Sequence, residues 1–360
     1  MSFCATRQGH TGVMSELCLT DYSSVDKPWD VHKRETVLVS GIYAGEARFH
    51  RLAERMDSCS SFLEFGEISN QETGETRLKL RKAKFCRVRH CPICQWRRAL
   101  LWRAKFHQAL PGALEAHPRA RFLFLTLTVR NCSIEQLRET ILGMNKSWGR
   151  FVKLKEFADN ILGWVRTTEV TRGQDSSAHP HFHCLLMVDS SYFNKSFVDQ
   201  DRWVEMWQKS ARLDYQPVVD IRTVEEKRQP GRRPLSLKDE KKPSSGKRPM
   251  DAITETLKYS VKPADMLVDE DWLKTLTDQV KQLRFIATGG VFKTFLKDAV
   301  KAEEEATDEE LVSLGDEQKS EPADQVLRFL WSKSMKRYVL KQILCLGDFL
   351  EEPPEPYPRQ

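Results

Sequence analysis

Apolar positions along the chain follow two spacings, one typical of helices and one typical of strands. In several segments they recur every third or fourth residue, which is the period of an amphipathic helix. Other segments carry alternating or continuous apolar residues over a short stretch, as strands do. The predicted helices cover residues 95–110, 134–157 and the region around 203–207. The predicted strands cover residues 122–129, 164–171, 178–188 and 217–221.

The predicted strand at residues 178–188 carries histidines at alternate positions, His179, His181 and His183. Side chains on a strand alternate between its faces, so the three imidazoles share one face while Phe182 lies on the other. The chain has nine histidines in all, and three of them within five residues favour a metal site over a surface strand that carries histidines by chance. Two imidazoles two residues apart converge on one point, as a metal ion requires.

A polar segment, residues 172–177, separates this strand from the preceding one and predicts a turn. The two strands then form a hairpin, which places Glu169 beside His181 and His183. A carboxylate and two imidazoles leave coordination positions open, as a catalytic divalent ion needs. We therefore interpret Glu169 as the third ligand, against the simpler interpretation of a solvated surface glutamate.

Three cysteines lie within nine residues, in the order Cys86, Cys91 and Cys94. A short Cys-x2-Cys knuckle lets two thiolates bind one tetrahedral zinc ion. A structural site needs a fourth ligand, for which Cys59 is the first candidate and His90 the alternative. A redox role for the last two cysteines is the competing interpretation, although the βαβ context typical of such motifs is missing.

Composition narrows the class of protein without fixing it. The 360 residues carry a formal net charge of +6, which mildly favours an anionic partner. The sequence contains no apolar run of about 18 residues, so no membrane span is expected. The N-terminal segment lacks the apolar core of a signal peptide, which predicts a cytoplasmic protein with reduced cysteines.

Composition also changes along the chain and predicts five parts. Residues 222–250 form a basic loop with ten Lys or Arg against four Asp or Glu, and residues 301–325 carry ten acidic residues against two lysines. Such charge runs predict segments without a packed core. The parts are a disordered N-terminus (1–35), a zinc-binding lobe with a basic helix (36–115), the domain of the histidine strand with the basic loop (116–300), an acidic linker (301–325) and a C-terminal helix and tail (326–360).

Residues 250–262 are predicted to form a helix that Pro263 ends. Glu255 and Tyr259 lie four positions apart, so they are one turn from each other on the same side. Lys262 follows Tyr259 by three positions. Buried tyrosines usually only pack against other residues, but a tyrosine with a carboxylate and a lysine beside it also suits chemistry.

The order of these motifs resembles that of the HUH nicking–joining endonucleases, and more closely that of replication initiator (Rep) proteins of small rolling-circle plasmids. The similarity spans about residues 59–295, and the order and spacing of the motifs are more specific than any one of them. The matching residues are Cys86, Cys91 and Cys94 before a Trp- and Arg-rich helix, Thr126 and Thr128, Glu169, His181 and His183, and finally Glu255, Tyr259 and Lys262.

This resemblance implies an α+β fold, with an antiparallel sheet of about five strands flanked by helices and a small zinc-binding N-terminal lobe. The metal site is expected on the open face of the sheet, with the tyrosine helix lying across it. The implied cofactors are Mg²⁺ or Mn²⁺ on His181, His183 and Glu169, and a structural Zn²⁺ on the cysteines.

The resemblance also implies a reaction. Tyr259 attacks the scissile phosphate, leaving a 5′-phosphotyrosine and a 3′-OH that primes synthesis. Glu255 then activates water at termination, and Lys262 binds phosphate or assists the tyrosine. The implied partners are the double-strand origin of a plasmid, single-stranded at the nick, and a host helicase, while a homodimer is left open.

Three other interpretations remain open. A zinc-dependent DNA-binding regulator would need the cysteines and a basic surface but neither Glu169 nor Tyr259. A metal-dependent nuclease would use water alone as nucleophile. A relaxase or transposase of the same superfamily would share the histidine strand, but the cysteine cluster and the Glu-x-x-x-Tyr motif favour the plasmid initiator.

Overall fold

A computed structural model of the protein describes residues 16–69, 73–224, 256, 260–297, 306–314 and 323–345. Within these ranges the chain forms two antiparallel sheets with helices packed against them, which confirms the predicted α+β class. None of the helices in these ranges is both long and apolar enough to cross a membrane.

The helices are α1 (Leu19–Tyr22), α2 (Lys27–Ala44), α3 (His50–Asp57), α4 (Pro92–Ala116), α5 (Leu137–Phe151), α6 (Lys155–Ala158), α7 (Tyr192–Lys195), α8 (Gln200–Ala211), α9 (Pro263–Leu267), α10 (Glu270–Gln279), α11 (Val291–Phe295) and α12 (Asp308–Ser313). The strands are β1 (Phe62–Ser69), β2 (Thr76–Ala83), β3 (Ala120–Thr128), β4 (Ile161–Arg172), β5 (Ala178–Asp189), β6 (Val219–Val224), β7 (Ile286–Gly290), β8 (Gln325–Ser332) and β9 (Arg337–Cys345).

The larger sheet has the strand order β6-β3-β5-β4-β7, with antiparallel neighbours throughout. β4 and β5 form the hairpin that the sequence predicts, and each is twelve residues long. In this register Glu169 lies opposite His181, and Thr126 of β3 lies opposite His183. The histidine strand, β5, is therefore the central strand, and its histidines lie beside the polar residues Glu169 on β4 and Thr126 on β3.

The two faces of this sheet are covered differently. Phe182 and Leu186 are fully buried on one face, in a core that α5 and α8 complete. On the histidine face, α4 covers the apolar half of β5, where Leu185 and Met187 lie. Burying an apolar side chain of this size stabilises a fold by about 1.5–3 kcal/mol, so the central strand is firmly held on both sides.

Helix α4 joins this sheet to a second lobe. Ile93 and Leu101, in its first part, pack in the core of that lobe, whereas Trp102 and Phe106 pack on the five-stranded sheet. The helix begins at Pro92. The first N–H groups of a helix have no partner within the helix, so the missing N–H of proline costs no hydrogen bond at this position. Its 25 residues span about 38 Å at about 1.5 Å per residue.

The second lobe contains a four-stranded sheet in the order β2-β1-β8-β9. The predicted C-terminal helix is wrong, because these residues form the hairpin of β8 and β9. Leu327 lies opposite Phe65 of β1, and Leu327 and Phe329 are fully buried. Over so short a segment an apolar stripe fits a strand as well as a helix. The lobe is therefore built from both ends of the chain and is not N-terminal alone.

The predicted disorder at residues 1–35 is also wrong from residue 18 onward, where α1 and α2 form. Trp29 of α2 is buried against Phe65 and Trp96. The acidic linker likewise contains a helix, α12, which Thr307 caps in a box with Glu310. Residues 1–15 and most of the basic loop lie outside the described residues.

Candidate metal centres

Three of the predicted ligands meet on the two central strands of the five-stranded sheet. Nε2 of His183 lies 2.9 Å from Oε2 of Glu169, and Nε2 of His181 lies 3.4 Å from the same oxygen. The ligand atoms all lie within 4.8 Å of one another. The exposed fractions are 5% for Glu169, 8% for His181 and 9% for His183, so the cluster is more enclosed than the open face that the sequence predicts.

The other ring nitrogens explain why both Nε2 atoms point to Glu169. Nδ1 of His181 lies 3.1 Å from the carbonyl oxygen of His179, and Nδ1 of His183 lies 3.2 Å from Oγ1 of Thr126. A carbonyl oxygen only accepts, so Nδ1 of His181 donates and the lone pair of the neutral ring is on Nε2. Nε2 of the neutral ring then faces a carboxylate oxygen as a second acceptor, so either a second ring proton or a bound cation has to lie between these two atoms. The donor set and these supporting bonds fit a divalent metal ion.

The carboxylate of Glu169 is held as an anion. Burial by itself raises the pKa of Glu169, but hydrogen bonds from His181 and His183 outweigh burial and lower this pKa well below its ordinary value. Nζ of Lys262 lies 3.8 Å from Oε1 of Glu169 on a side chain that is 55% exposed. Lys262 therefore adds a positive charge at the solvent side of the cluster.

The third histidine of the strand does not join the cluster. The ring of His179 lies 5.0 Å from that of His181, and burial, followed by the charge of His181, lowers the pKa of His179. The group that could hold a metal ion contains only Glu169, His181 and His183 among the described residues of this sheet.

The second cluster consists of the four predicted thiols, Cys59, Cys86, Cys91 and Cys94. The Sγ atoms of Cys59 and Cys94, of Cys86 and Cys94, and of Cys91 and Cys59 are each 3.6 Å apart. A tetrahedral zinc ion with Zn–S bonds of about 2.3 Å needs S–S separations of about 3.8 Å. The arrangement therefore fits one zinc ion and involves four thiols, whereas the redox interpretation requires only two.

Backbone groups and a buried lysine support these thiols. The N–H of Arg87 donates to Sγ of Cys94 at 3.3 Å, a bond that stabilises a thiolate. Burial opposes ionisation of Cys91, but hydrogen bonds from the other three thiols lower its pKa well below the ordinary value. Lys33, which is 1% exposed, donates to the carbonyl of Cys59 at 2.5 Å. Sequence reasoning missed Lys33, because its setting in the polar part of α2 is typical of a solvated lysine.

His90, the alternative fourth ligand, lies outside the thiol cluster. Its Nδ1 is 3.2 Å from Oη of Tyr43 and 3.1 Å from Oγ1 of Thr277. Burial, with smaller effects of Arg89 and Arg98, lowers the pKa of His90 to about 3. His90 is therefore a neutral core residue that connects the cysteine segment to α10.

The tyrosine segment is described only in part, since Glu255 and Tyr259 lie outside the described residues. On either side of Tyr259, the chain is bonded to β4. Oγ1 of Thr167 donates to the carbonyl of Thr256 at 2.5 Å, and the N–H of Val170 donates to the carbonyl of Ser260 at 2.9 Å. Pro263 is the first residue of α9 and does not end a helix as predicted, because Lys262 before it is already extended.

An antiparallel sheet with a carboxylate–imidazole cluster, joined to a lobe with four clustered thiols, defines an α+β protein with two candidate metal centres. A family model described as "Replication protein" matches residues 77–339. The chain belongs to this family, which confirms its resemblance to the Rep initiator proteins of plasmids.

Relatives in the family align over most of their length. A "Protein rep" of Streptococcus pneumoniae is 31% identical over 88% of this chain and 92% of its own. One from Bacillus amyloliquefaciens is 33% identical over 88% of this chain and 94% of its own, and one from Lentilactobacillus hilgardii is 31% identical over 91% and 100%. No solved structure matches the chain significantly.

Proposed function

We propose that this protein nicks one DNA strand at a plasmid origin by attack of Tyr259 on a phosphodiester, and later rejoins or releases that strand. The observation that carries the proposal is the enclosed cluster of Glu169, His181 and His183 beside the segment that holds Tyr259. Membership of a replication protein family agrees with this role. The regulator without catalysis would need no such cluster.

His181, His183 and Glu169 would hold Mg²⁺ or Mn²⁺, and the ion would supply Lewis-acid polarisation of the scissile phosphate. The protein itself positions these ligands before DNA binds. The carbonyl of His179 and the hydroxyl of Thr126 orient the two rings. The anionic Glu169 makes the site selective for a cation.

Tyr259 is assigned as nucleophile because the chain around it is bonded to β4 next to Glu169. Ser260 follows Tyr259 in sequence, and its carbonyl accepts from Val170, the residue after Glu169. The described residue next to Tyr259 is therefore held beside the ligand cluster, which supports the choice of Tyr259 as the attacking residue. Its oxygen forms the bond to phosphorus, the bond to the 3′ oxygen breaks, and that oxygen takes up a proton to become the 3′-OH.

Lys262 and Glu255 complete the proposed machinery. Lys262 lies 3.8 Å from Glu169 with much of its side chain in solvent, where it can contact a phosphate oxygen. Glu255 precedes Thr256, which is bonded to Thr167 of β4. We assign Glu255 to activate a water molecule at termination, so that the second strand transfer ends in hydrolysis.

The four thiols are proposed to hold a structural zinc ion. They lie on two segments that are well separated in sequence, one at Cys59 and one that runs from Cys86 to Cys94. One ion would therefore fasten the start of α4 to the end of α3 and to the segment after β2.

The test is to incubate the protein with single-stranded DNA of its plasmid origin and Mn²⁺, and to look for a covalent 5′ adduct by gel and mass spectrometry. The wild-type protein should form the adduct on Tyr259, and Tyr259→Phe should form none. Tyr22→Phe, in the other lobe, is the matched control and should react normally. Nicked DNA without an adduct would indicate a hydrolase instead, and intact DNA would favour the regulator.

A further inference from the structure

A cavity of about 440 Å³ lies between the cysteine lobe and the five-stranded sheet. Four arginines line it, namely Arg87, Arg89, Arg98 and Arg284. Among the described residues, no carboxylate belongs to its wall. A concave surface with charges of one sign concentrates the field and attracts ions of the opposite sign.

The protein holds these arginines in place from several directions. Arg89 donates to the carbonyl of Leu283 at 2.7 Å and lies over the ring of Phe285 at 4.9 Å. Arg98 donates to the carbonyl of Val88 at 3.1 Å. A guanidinium group has five N–H donors in a planar fork that matches phosphate oxygens. Arginines fixed in this way are preorganised for a phosphate, which lowers the entropy lost on binding.

The thiol cluster determines where two of the arginines lie. Arg87 and Arg89 belong to the short segment between Cys86 and Cys91, and both of these thiols are cluster members. The backbone N–H of Arg87 is itself bonded to Cys94. The cysteine cluster therefore fixes the loop that carries half of the positive charge of the cavity.

The wall of the same cavity is hydrogen-bonded to the strand that carries Glu169. Ser260 lines it, and the carbonyl of Ser260 accepts from the N–H of Val170 at 2.9 Å. Phe285 also lines it, and its carbonyl accepts from the N–H of Thr168 at 2.7 Å. Thr168 and Val170 flank Glu169 on β4, so the wall of the cavity and the ligand cluster share one stretch of strand.

We infer that this cavity binds phosphates of the single DNA strand next to the scissile phosphate, and that the cysteine cluster presents Arg87 and Arg89 to that strand. The inference deepens the proposed function and rests on it. A cavity of this size holds a small molecule or a short stretch of one strand. A duplex would contact only the rim.

The test measures binding of a fluorescein-labelled single-stranded 20-mer oligothymidylate to the full chain over a series of salt concentrations, without divalent metal. Each phosphate that the protein no longer neutralises lowers the slope of log K against log salt by about 0.7 for single strands. Arg87→Ala combined with Arg284→Ala should therefore lower the slope by about 1.4. The corresponding double lysine variant keeps both charges and should restore the slope.

Two control variants separate the cavity from general effects. Asp308→Ala removes the partner that lies 2.8 Å from Arg87 but keeps the arginine, so its slope should not fall below that of the wild type. Arg119→Ala removes an exposed arginine that directly precedes β3 and is paired with Asp189. Because Arg119 does not line the cavity, this variant should leave the slope unchanged. Zinc content and melting temperature must match the wild type in every variant.

An unchanged slope in the double alanine variant, with zinc content and melting temperature intact, would overturn the inference. So would an equal decrease of the slope on duplex DNA of the same length. Because this measurement requires no cleavage, it is independent of the adduct assay. A wild-type protein that forms no adduct but shows the expected slopes would contradict the proposed chemistry and leave the phosphate site in place.

Discussion

The two candidate metal centres differ in how the chain builds them. The ligands of the histidine cluster come from one hairpin, and Glu169 is only twelve positions from His181. The thiols of the cysteine cluster come from two separated segments, and Cys59 is 35 positions from Cys94. Four thiolates fill a tetrahedral zinc site, whereas two imidazoles and a carboxylate leave positions for water or substrate.

From this difference we predict that the cysteine centre stabilises the fold and that the histidine centre takes part in the proposed reaction. A closed thiol site that joins distant segments contributes to folding, because the unfolded chain cannot present all four ligands together. The histidine cluster lies on strands that are already held in place without a metal ion, because Phe182 and Leu186 on the other face of the sheet are buried in the core. Removing a ligand there should change chemistry while the fold persists.

The largest expected effect is the loss of stability when the cysteine cluster is disrupted. Cys59→Ser should lose zinc and unfold its lobe, because structural zinc contributes about 10–16 kcal/mol of apparent binding free energy and domains are stable by only about 5–15 kcal/mol. Zinc content and thermal unfolding measure this effect. Cys132→Ser, at a half-buried cysteine outside the cluster, should keep both values. Full zinc content in Cys59→Ser would show that the site closes without this thiol.

The histidine side should show the opposite response. His181→Ala or His183→Ala should abolish cleavage and leave the melting temperature nearly unchanged, and oligonucleotide affinity should persist because it comes mainly from phosphate contacts. His179→Ala is the matched control on the same strand and should still cleave. If His179→Ala were as inactive as the other two, the ligand set would have to include all three histidines.

The sequence predicted the strands and ligands of the histidine cluster far better than the fold of the cysteine lobe, for a physical reason. Strand alternation and a short turn are local, so Glu169 and His181 can be placed together from a window of about twenty residues. The four-stranded sheet instead depends on pairing between Phe65 and Leu327. No local pattern contains that pairing, and the same apolar stripe was compatible with a helix.

Buried polar residues were equally hidden from sequence reasoning. Arg97 belongs to the helix that was predicted to be basic, yet it is only 5% exposed and donates to the carbonyl of Leu311 of α12. Such residues satisfy carbonyl groups from distant segments, and the local spacing of apolar residues does not reveal them. Cys86, Cys91 and Cys94 were predictable as a group because zinc knuckles have a characteristic short spacing, whereas Cys59 was one of two candidates for the fourth position.

A smaller effect is expected from the residue that orients His183. Thr126→Val keeps the shape of the side chain but removes the hydroxyl that lies 3.2 Å from Nδ1. Loss of such a supporting bond typically weakens metal binding about 10–100-fold, so cleavage should need more Mn²⁺ to reach the same rate. Thr128→Val is the control on the same strand, since its hydroxyl donates to the carbonyl of Val218. Equal Mn²⁺ requirements in both variants would show that Thr126 does not orient the ligand.

The smallest effect on cleavage is expected at Glu255, and it separates two steps of one reaction. Glu255→Ala removes only the carboxylate assigned to activate water, so the variant should nick DNA and form the Tyr259 adduct at the normal rate. It should fail at termination, because the second strand transfer would no longer end in hydrolysis. Replication should then give products longer than one plasmid unit, visible on a denaturing gel, whereas the wild-type protein is expected to give unit circles. Unit-length products from Glu255→Ala would assign Glu255 to the solvated surface and move the termination step to another residue.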